Sequence, residues 1–194
     1  MADILDALKA YKNMLDIEYE FILGRKNKSV KLVIEFQKKH FFHIAGLQHL
    51  KDLPRLSYSA ELIFSSIENG KISCSYIESS KNYTSIKRRI EYLPRLEDIF
   101  DSNKTIFKYN PALQAFSVIE ADFLMKNTMG TEALFTFLSK DKNGKYICRS
   151  FFPDKRKDYA ERQTNWTVLY KLKRHKITGS QEVLFKYKNF ESEC

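Results

Sequence analysis

The sequence is poor in glycine, proline and cysteine, and each shortage excludes a class of structure. Six glycines, four prolines and no low-complexity tract argue against a long disordered linker and favour one domain over residues 1–194. The three cysteines, Cys74, Cys148 and Cys194, are odd in number and widely spaced. A disulfide framework or zinc site is therefore disfavoured, and the cysteine usage predicts a reducing, cytoplasmic setting.

Long apolar runs and the motifs of several enzyme classes are also missing. The chain start has no basic segment followed by apolar residues, so we expect neither a signal peptide nor a membrane partner. The whole sequence contains no Gly-rich phosphate loop ending in Lys-Ser or Lys-Thr, no Gly-x-Ser-x-Gly and no His-Glu-x-x-His. Its acidic residues are dispersed, which disfavours a metal-dependent nuclease. We therefore predict no cofactor and no metal site.

The sequence does contain an excess of positive charge, concentrated in one segment. Residues 140–176 hold twelve Lys and Arg against four Asp and Glu, while the whole chain holds 33 against 24. The segment thus carries nearly all of the net charge of +9. Such clustering is typical of a surface that binds a polyanion. Because 24 of the basic residues are lysine, solvated surface lysines are the alternative explanation.

Apolar spacing predicts helices in the first half of the chain and strands in the second. A helix is predicted over residues 3–15 with Asp3 as N-cap, a β-hairpin over 17–36 and a helix over 37–50. Residues 57–100 have helical spacing, interrupted at Asn69-Gly70 and at Pro94. Strands are predicted over residues 106–109, 116–119, 133–139, 146–152, 166–172 and 183–187.

Three of the four histidines fall in the predicted helix over residues 37–50. On a helix His43 shares a face with Leu47 and Leu50, whereas His40 and His49 lie elsewhere on the cylinder. His43 is therefore either a buried structural histidine or a proton-transfer group at the rim of a cleft. A metal site at His40 and His43 is disfavoured because no acidic third ligand accompanies them.

Strand alternation sorts the candidate cations by face. Arg149 and Ser150 project to opposite faces of one strand, so both enter one cleft only if a bulge intervenes. Arg149 would grip phosphate with two nitrogens, or else pair with a helix acid. Lys171 falls on the more polar face of the next strand, where it would approach a phosphate or remain solvated. The triplet Lys87-Arg88-Arg89 is either the wet face of a helix or a phosphate contact.

Four motifs follow one another along the chain. They are Phe42-x-x-x-Gly46-Leu47 around His43, Cys148-Arg149-Ser150-Phe151-Phe152-Pro153, Asp158-Tyr159-x-x-x-Gln163 and Trp166-Thr167-Val168-Leu169-Tyr170-Lys171. In this order they resemble the phage-associated nuclease domains grouped with barnase, EndoU, the tRNA-cleaving colicins and RelE, and the chain is most similar to the fourth phage group. The resemblance spans about residues 15–173 and leaves a tail of about 176–194. It implies an α+β fold, with N-terminal helices and hairpin and a mainly antiparallel β-sheet.

The resemblance also implies a metal-independent, toxin-like endoribonuclease of phage or mobile-element origin, with tRNA or mRNA as substrate and a protein inhibitor as a further partner. The ribose 2′-hydroxyl would attack the adjacent phosphorus and leave a 2′,3′-cyclic phosphate. The alternative is a non-catalytic phage-derived module that binds nucleic acid or protein. By residue type we assign proton transfer to His43, phosphate stabilisation to Arg149 and Lys171, and positioning to Tyr159 and Gln163, with proton transfer as an alternative for Tyr159. The predicted nucleic-acid-binding residues are Lys155, Arg156, Lys157, Arg162 and Lys173.

Overall fold

A computed structural model describes residues 2–102, 105–114, 117–188 and 190. None of its helices in these ranges is long and apolar enough to cross a bilayer. The helices are α1 (Ile4–Met14), α2 (Lys38–Ile44), α3 (Ala60–Glu68), α4 (Cys74–Glu78), α5 (Thr84–Tyr92) and α6 (Leu96–Ser102). The strands are β1 (Ile17–Arg25), β2 (Lys28–Glu35), β3 (Thr105–Lys108), β4 (Phe123–Met129), β5 (Glu132–Lys140), β6 (Tyr146–Asp154), β7 (Thr164–His175) and β8 (Gln181–Lys186).

Seven of the strands close into a mixed β-barrel. The order is β1-β2-β6-β5-β4-β3-β7, and β7 pairs back onto β1. β2 and β6 are parallel over two residue pairs, Ile34 with Tyr146 and Glu35 with Ile147. The other pairings described are antiparallel. The predicted α+β fold of the barnase type, with a mainly antiparallel sheet, is therefore wrong, because the strands close into a mixed barrel through the pairing of β7 with β1 and the parallel pairing of β2 with β6.

The length of β7 explains the closure. Its twelve residues pair with β1 along one edge from Thr167 to His175. Along the other edge they pair first with β3 and then with β8. Contact between β1 and β7 joins residues about 150 positions apart in sequence. Local apolar periodicity carries no information about such a pairing, so it could not predict that the strands close into a ring.

The helical half follows local signals closely. α1 begins at a capping box in which the Asp3 carboxylate accepts from Leu5 and Asp6 backbone N–H groups, which confirms the predicted N-cap. α3 ends before Asn69-Gly70, as predicted, with Gly70 in the left-handed conformation at φ 70°. The chain around Pro94 forms a short 3₁₀ turn between α5 and α6, so the predicted interruption is confirmed.

Most of the predicted strands overlap strands of the structure, but one does not, and one strand was not predicted. The segments over residues 106–109, 133–139, 146–152 and 166–172 overlap β3, β5, β6 and β7, and the last prediction overlaps β8. The segment 116–119 does not form a strand over 117–119, and Phe116 lies outside the described residues. β4 was not predicted, because residues 120–126 are compatible with a helix or a strand end.

Apolar side chains form two cores on opposite faces of the strands. The large core joins residues from all seven barrel strands with residues of the helices. The smaller core lies on the other face of β4 and β5, where Leu124, Phe135 and Phe137 pack with Tyr109 and Ala160. Phe152 and Tyr159 pack at the margin of this smaller core. Aromatic side chains therefore lie beside the segment in which the sequence concentrates positive charge.

Candidate functional site

His43 lies on the exposed side of α2. The buried side chains of this helix are His40, Phe41 and Ile44. α2 ends at Ile44 and the chain turns through Gly46, so His43 does not share the continuous apolar face expected with Leu47. The pKa of His43 is lowered from 6.5, first by partial burial and then by the positive charge of Arg149. The imidazole and the Arg149 guanidinium are therefore electrostatic neighbours.

Arg149 occupies a β-bulge. Phe137 of β5 pairs with Ser150, whereas the next residue, Leu138, pairs with Cys148. This register leaves Arg149 as the extra residue of β6, and its side chain is exposed. A bulge re-aims side chains locally, so the strict alternation that separated Arg149 from Ser150 does not apply here.

The buried histidine of α2 is His40. Its side chain is 9% exposed, and its Nδ1 has no hydrogen-bond partner among the described residues. Burial, followed by the charges of Lys39 and His43, lowers the pKa of His40 to about 4. His43 was predicted to be either a buried structural histidine or a proton-transfer group. The structure instead buries His40, one turn earlier, and leaves His43 exposed.

A groove of about 480 Å³ opens between α5, β5 and β6. The Arg89 guanidinium lies 5.0 Å from the centroid of the Phe152 ring. Phe152 in turn contacts Tyr159 with ring centroids 5.3 Å apart. The groove is lined by Ser85, Arg88, Arg89, Glu132, Phe152, Pro153 and Lys155.

Gly46 allows the chain after α2 to approach this groove. It has φ 79°, and a Cβ added there would meet Arg89 Cδ at 2.9 Å. In the 3₁₀ turn that follows, the pKa of His49 is lowered by burial first, then by the charges of Arg89, Lys51 and His43. The charge of Arg149 thus acts on His43, and the charges of Arg89 and His43 act on His49, and we name these four residues the His–Arg face.

Glu132 is the acid of the groove, and its charge is compensated. Its carboxylate accepts a hydrogen bond from Arg88, and it lies 2.8 Å from Lys155 Nζ. Hydrogen bonds from Arg88, Lys155 and Tyr92, in that order, lower the pKa of Glu132 to about 2. Lys155, a predicted nucleic-acid-binding residue, thus lines the groove, and its ammonium group pairs with the Glu132 carboxylate.

Lys171 lies in the interior, so its predicted position on a polar face is wrong. It is 1% exposed, and its Nζ donates to the carbonyls of Phe100 at 2.7 Å and Asp101 at 3.1 Å. The physical reason is a second bulge: Ile22 pairs with Tyr170 and Leu23 with Val168, which leaves Leu169 as the extra residue of β7. The bulge turns Lys171 towards the core.

Lys173 follows Lys171 on the same side of β7. Its Nζ lies 2.7 Å from a Glu97 carboxylate oxygen and 2.8 Å from an Asp101 carboxylate oxygen. Both lysines therefore place positive charge at the C-terminal end of α6, where the helix dipole favours it. Neither ammonium belongs to the His–Arg face.

The remaining predicted residues lie on the segment between β6 and β7. Gln163 is buried and pairs with the backbone of Asn110, accepting at 2.7 Å and donating at 3.1 Å. Tyr159 packs in the aromatic margin of the smaller core, and burial raises its pKa. Lys157 Nζ lies 4.9 Å from the Tyr159 ring centroid. Arg156 and Arg162 are exposed.

His43 and Arg149 thus lie within electrostatic range of each other, and Tyr159 and Lys155 lie near Arg89. Lys171, Lys173 and Gln163 instead bind groups on other elements. Within the described parts of the chain, no three His, Cys, Asp or Glu side chains are grouped as a metal ion would require. Arg89 and His49 were not among the predicted site residues. A signal for Arg89 existed, because three residues after Ile86 it falls beside the apolar side of α5 rather than on its wet face.

Comparison with known proteins adds one match. A family model described as phage-Barnase-EndoU-ColicinE5/D-RelE like nuclease4 matches residues 3–188. No curated protein and no solved structure matches the chain. The family match covers nearly the whole chain, including β8, and so extends beyond the range over which the motifs carried the resemblance. The resemblance drawn from those motifs is confirmed, and the chain belongs to the phage-Barnase-EndoU-ColicinE5/D-RelE like nuclease4 family.

Proposed function

We propose that this phage-associated nuclease is a metal-independent endoribonuclease that cleaves RNA on the His–Arg face. The observation that carries the proposal is the exposure of His43 on α2 beside the exposed Arg149 at the bulge of β6, the strand on which α2 packs. The direction of the His43 pKa agrees with it, because burial and then the Arg149 charge lower that pKa. A histidine whose pKa lies below 6.5 is mostly neutral at pH 7 and so is able to accept a proton. A guanidinium beside it supplies positive charge where a phosphate would develop negative charge.

In the proposed reaction His43 takes the proton of the ribose 2′-hydroxyl, whose oxygen attacks the adjacent phosphorus. Arg149 stabilises the charge that develops on the phosphate oxygens. The bond from phosphorus to the 5′-oxygen breaks, and the His43 imidazolium formed in the first step gives its proton to that oxygen. The products are a 2′,3′-cyclic phosphate and a free 5′-hydroxyl. Lys171 is left out because its ammonium is buried on two backbone carbonyls.

The proposal is tested by incubating the purified protein with a defined tRNA and a defined mRNA in EDTA and identifying the product ends. We expect cyclic phosphate and 5′-hydroxyl ends. His43→Gln should lower the cleavage rate by about 10²- to 10⁴-fold, the usual contribution of general acid–base catalysis. Arg149→Gln should lower it as well, because a neutral amide cannot stabilise the phosphate charge.

The matched control is His175→Gln. His175 lines a different depression, with Ile17 and Glu97, so this variant should cleave RNA within about twofold of the wild type. Unchanged cleavage by folded His43→Gln would disprove the assignment of the base. RNA that is shifted on a gel but stays intact would favour the non-catalytic binding module instead.

A further inference from the structure

Arg89 carries a charge that nothing in the described chain compensates. Its Nη1 is buried without a hydrogen-bond partner. No ion pair to Arg89 occurs among the described residues. Burial lowers the pKa of this guanidinium from its ordinary value, with the Tyr159 hydroxyl acting in the opposite direction. The Arg89 side chain is half-buried, and a charge partly removed from water without a partner destabilises a folded protein, so a bound anion is a reasonable explanation for it.

The other cations of the groove are already engaged. Arg88 pairs with Glu132 and, at 3.2 Å, with Glu91. Lys155 pairs with the second carboxylate oxygen of Glu132. An anion that enters the groove would therefore meet Arg89 as the cation with unused hydrogen-bonding capacity, among the residues that line it.

The surroundings of Arg89 favour a phosphate over a carboxylate side chain from this protein. Phe152 supports one face of the planar guanidinium at 5.0 Å and thereby fixes its orientation. A fixed guanidinium presents a fork of N–H groups that matches two phosphate oxygens. Gly46 connects this position to α2, which carries His43. The groove is open to solvent and large enough for a sugar-phosphate unit.

We infer that Arg89, held by Phe152, forms a phosphate subsite that binds a phosphodiester of single-stranded RNA next to the one that is cleaved. The inference rests on the proposed function for the identity of the ligand. Binding of the phosphate to the part of the guanidinium that lines the groove would neutralise its charge. The same interaction would hold the RNA in register with His43 and Arg149.

The test measures binding separately from cleavage. The probe is a fluorescein-labelled, fully 2′-O-methylated RNA oligonucleotide, which has no free 2′-hydroxyl to attack phosphorus. Fluorescence anisotropy gives its Kd at several KCl concentrations for the wild type, Arg89→Met and Lys87→Met. Lys87 is the matched control because it precedes Arg88 on the same helix but lines a different depression, with Asp3 and Tyr83.

We expect Arg89→Met to raise the Kd about tenfold or more, as the loss of a charged hydrogen bond does. The slope of log K against log[KCl] should fall by about 0.7, the value for one phosphate contact with a single strand. Lys87→Met should raise the Kd less than about twofold, since the half-buried Lys87 faces a different depression and contributes little beyond long-range attraction. Equal Kd values for the two variants would overturn the subsite.

Thermal unfolding of the free variants separates a binding role from a structural one. Arg89→Met removes an unpaired buried charge and keeps most of the side-chain volume, so its Tm should equal or exceed that of the wild type. A clear fall in Tm with unchanged RNA affinity would instead make Arg89 structural and overturn the inference. Arg89→Lys keeps the charge without the fork and should bind RNA with an intermediate Kd.

The two proposals fail in different ways. If wild-type protein leaves unmodified RNA intact in EDTA, the nuclease mechanism fails, yet an Arg89-dependent Kd would still establish the phosphate subsite. If the wild type cleaves RNA and Arg89→Met binds the methylated probe as tightly as Lys87→Met, the subsite fails and the mechanism stands.

Discussion

His40 and His43 lie one helical turn apart on α2, and burial gives them different properties. His40 is enclosed, and its charged form is strongly disfavoured. His43 is exposed, and its pKa is lowered by a neighbouring guanidinium as well as by partial burial. Period-3.6 spacing predicts which residues share a face but not where a seven-residue helix begins and ends, and α2 ends three residues before Leu47.

His40 makes the stability of the protein depend on pH. Its folded-state pKa of about 4 lies below the ordinary 6.5, so the unfolded chain binds the proton more tightly. The contribution of His40 to the free energy of unfolding is therefore fully present above pH 6.5 and is lost as the pH falls towards 4. We expect the free energy of unfolding to drop by about 2 kcal/mol from this group between pH 7 and pH 5. Urea denaturation at the two pH values measures the drop.

His40→Gln is the comparison for this pH effect, because glutamine does not titrate in this range. The variant should lose less stability between pH 7 and pH 5 than the wild type, by about the same 2 kcal/mol. An identical pH dependence for the wild type and His40→Gln would mean that His40 is protonated as easily in the folded protein as in the unfolded chain.

At the scale of single elements, two β-bulges determine which charged side chains lie close to one another. The bulge at Arg149 leaves that side chain exposed beside α2. The bulge at Leu169 directs Lys171 and Lys173 towards α6. Alternating residues predicted both strands correctly, yet a single inserted residue exchanges the two faces beyond it. Within three residues of Arg149 and of Leu169 the sequence contains no glycine or proline that would signal a bulge.

The basic segment illustrates the same limit. Its excess of charge predicted a cationic surface, but Lys155, Lys171 and Lys173 each bond to groups of the protein itself. Their partners Glu132, Glu97 and Asp101 come from distant parts of the chain. A count of charges in one segment does not include acids that the fold brings to it. Arg89, outside the segment, has a buried Nη1 without a hydrogen-bond partner in the described parts of the chain.

Lys171 should act on stability rather than on catalysis. Lys171→Met would leave the buried carbonyls of Phe100 and Asp101 without this donor, so we expect the free energy of unfolding to fall by about 2–4 kcal/mol. Cleavage per folded molecule should be unchanged. Urea denaturation and RNA cleavage at a temperature where the variant is folded measure both quantities.

Lys31→Met is the control for this change. Lys31 pairs with Glu20 on the surface, with 56% of its side chain exposed, so its loss should alter stability by less than about 1 kcal/mol. If Lys171→Met were as stable as Lys31→Met but inactive, Lys171 would belong to the catalytic machinery after all.

At the scale of the whole molecule, the barrel closes without β8. The ring is completed by β7 on β1, and β8 adds to the remaining edge of β7 outside it. Leu184 and Phe185 nevertheless pack against the large core. β8 therefore adds stability to a structure whose topology is already complete, which agrees with a family match that includes it.

A chain that ends at residue 176 should still fold cooperatively and cleave RNA, because the seven-stranded ring and the His–Arg face are intact. Its Tm should be lower, since the packing of Leu184 and Phe185 is lost. Circular dichroism during heating and the cleavage assay measure these properties. A chain that ends at residue 163 lacks β7 and serves as the control, because it should not fold. A truncation at residue 176 that also fails to fold would show that β8 is part of the cooperative unit.

The parallel join between β2 and β6 is the shortest of the strand pairings in the described chain, with two residue pairs. α2 follows directly from β2 and packs on β6, so it bridges that join. His43, the proposed base, lies on the bridging helix, and Arg149 lies on the far strand. Any widening of this gap would change the distance between these two side chains first, so their spacing is set by the part of the ring with the fewest backbone bonds.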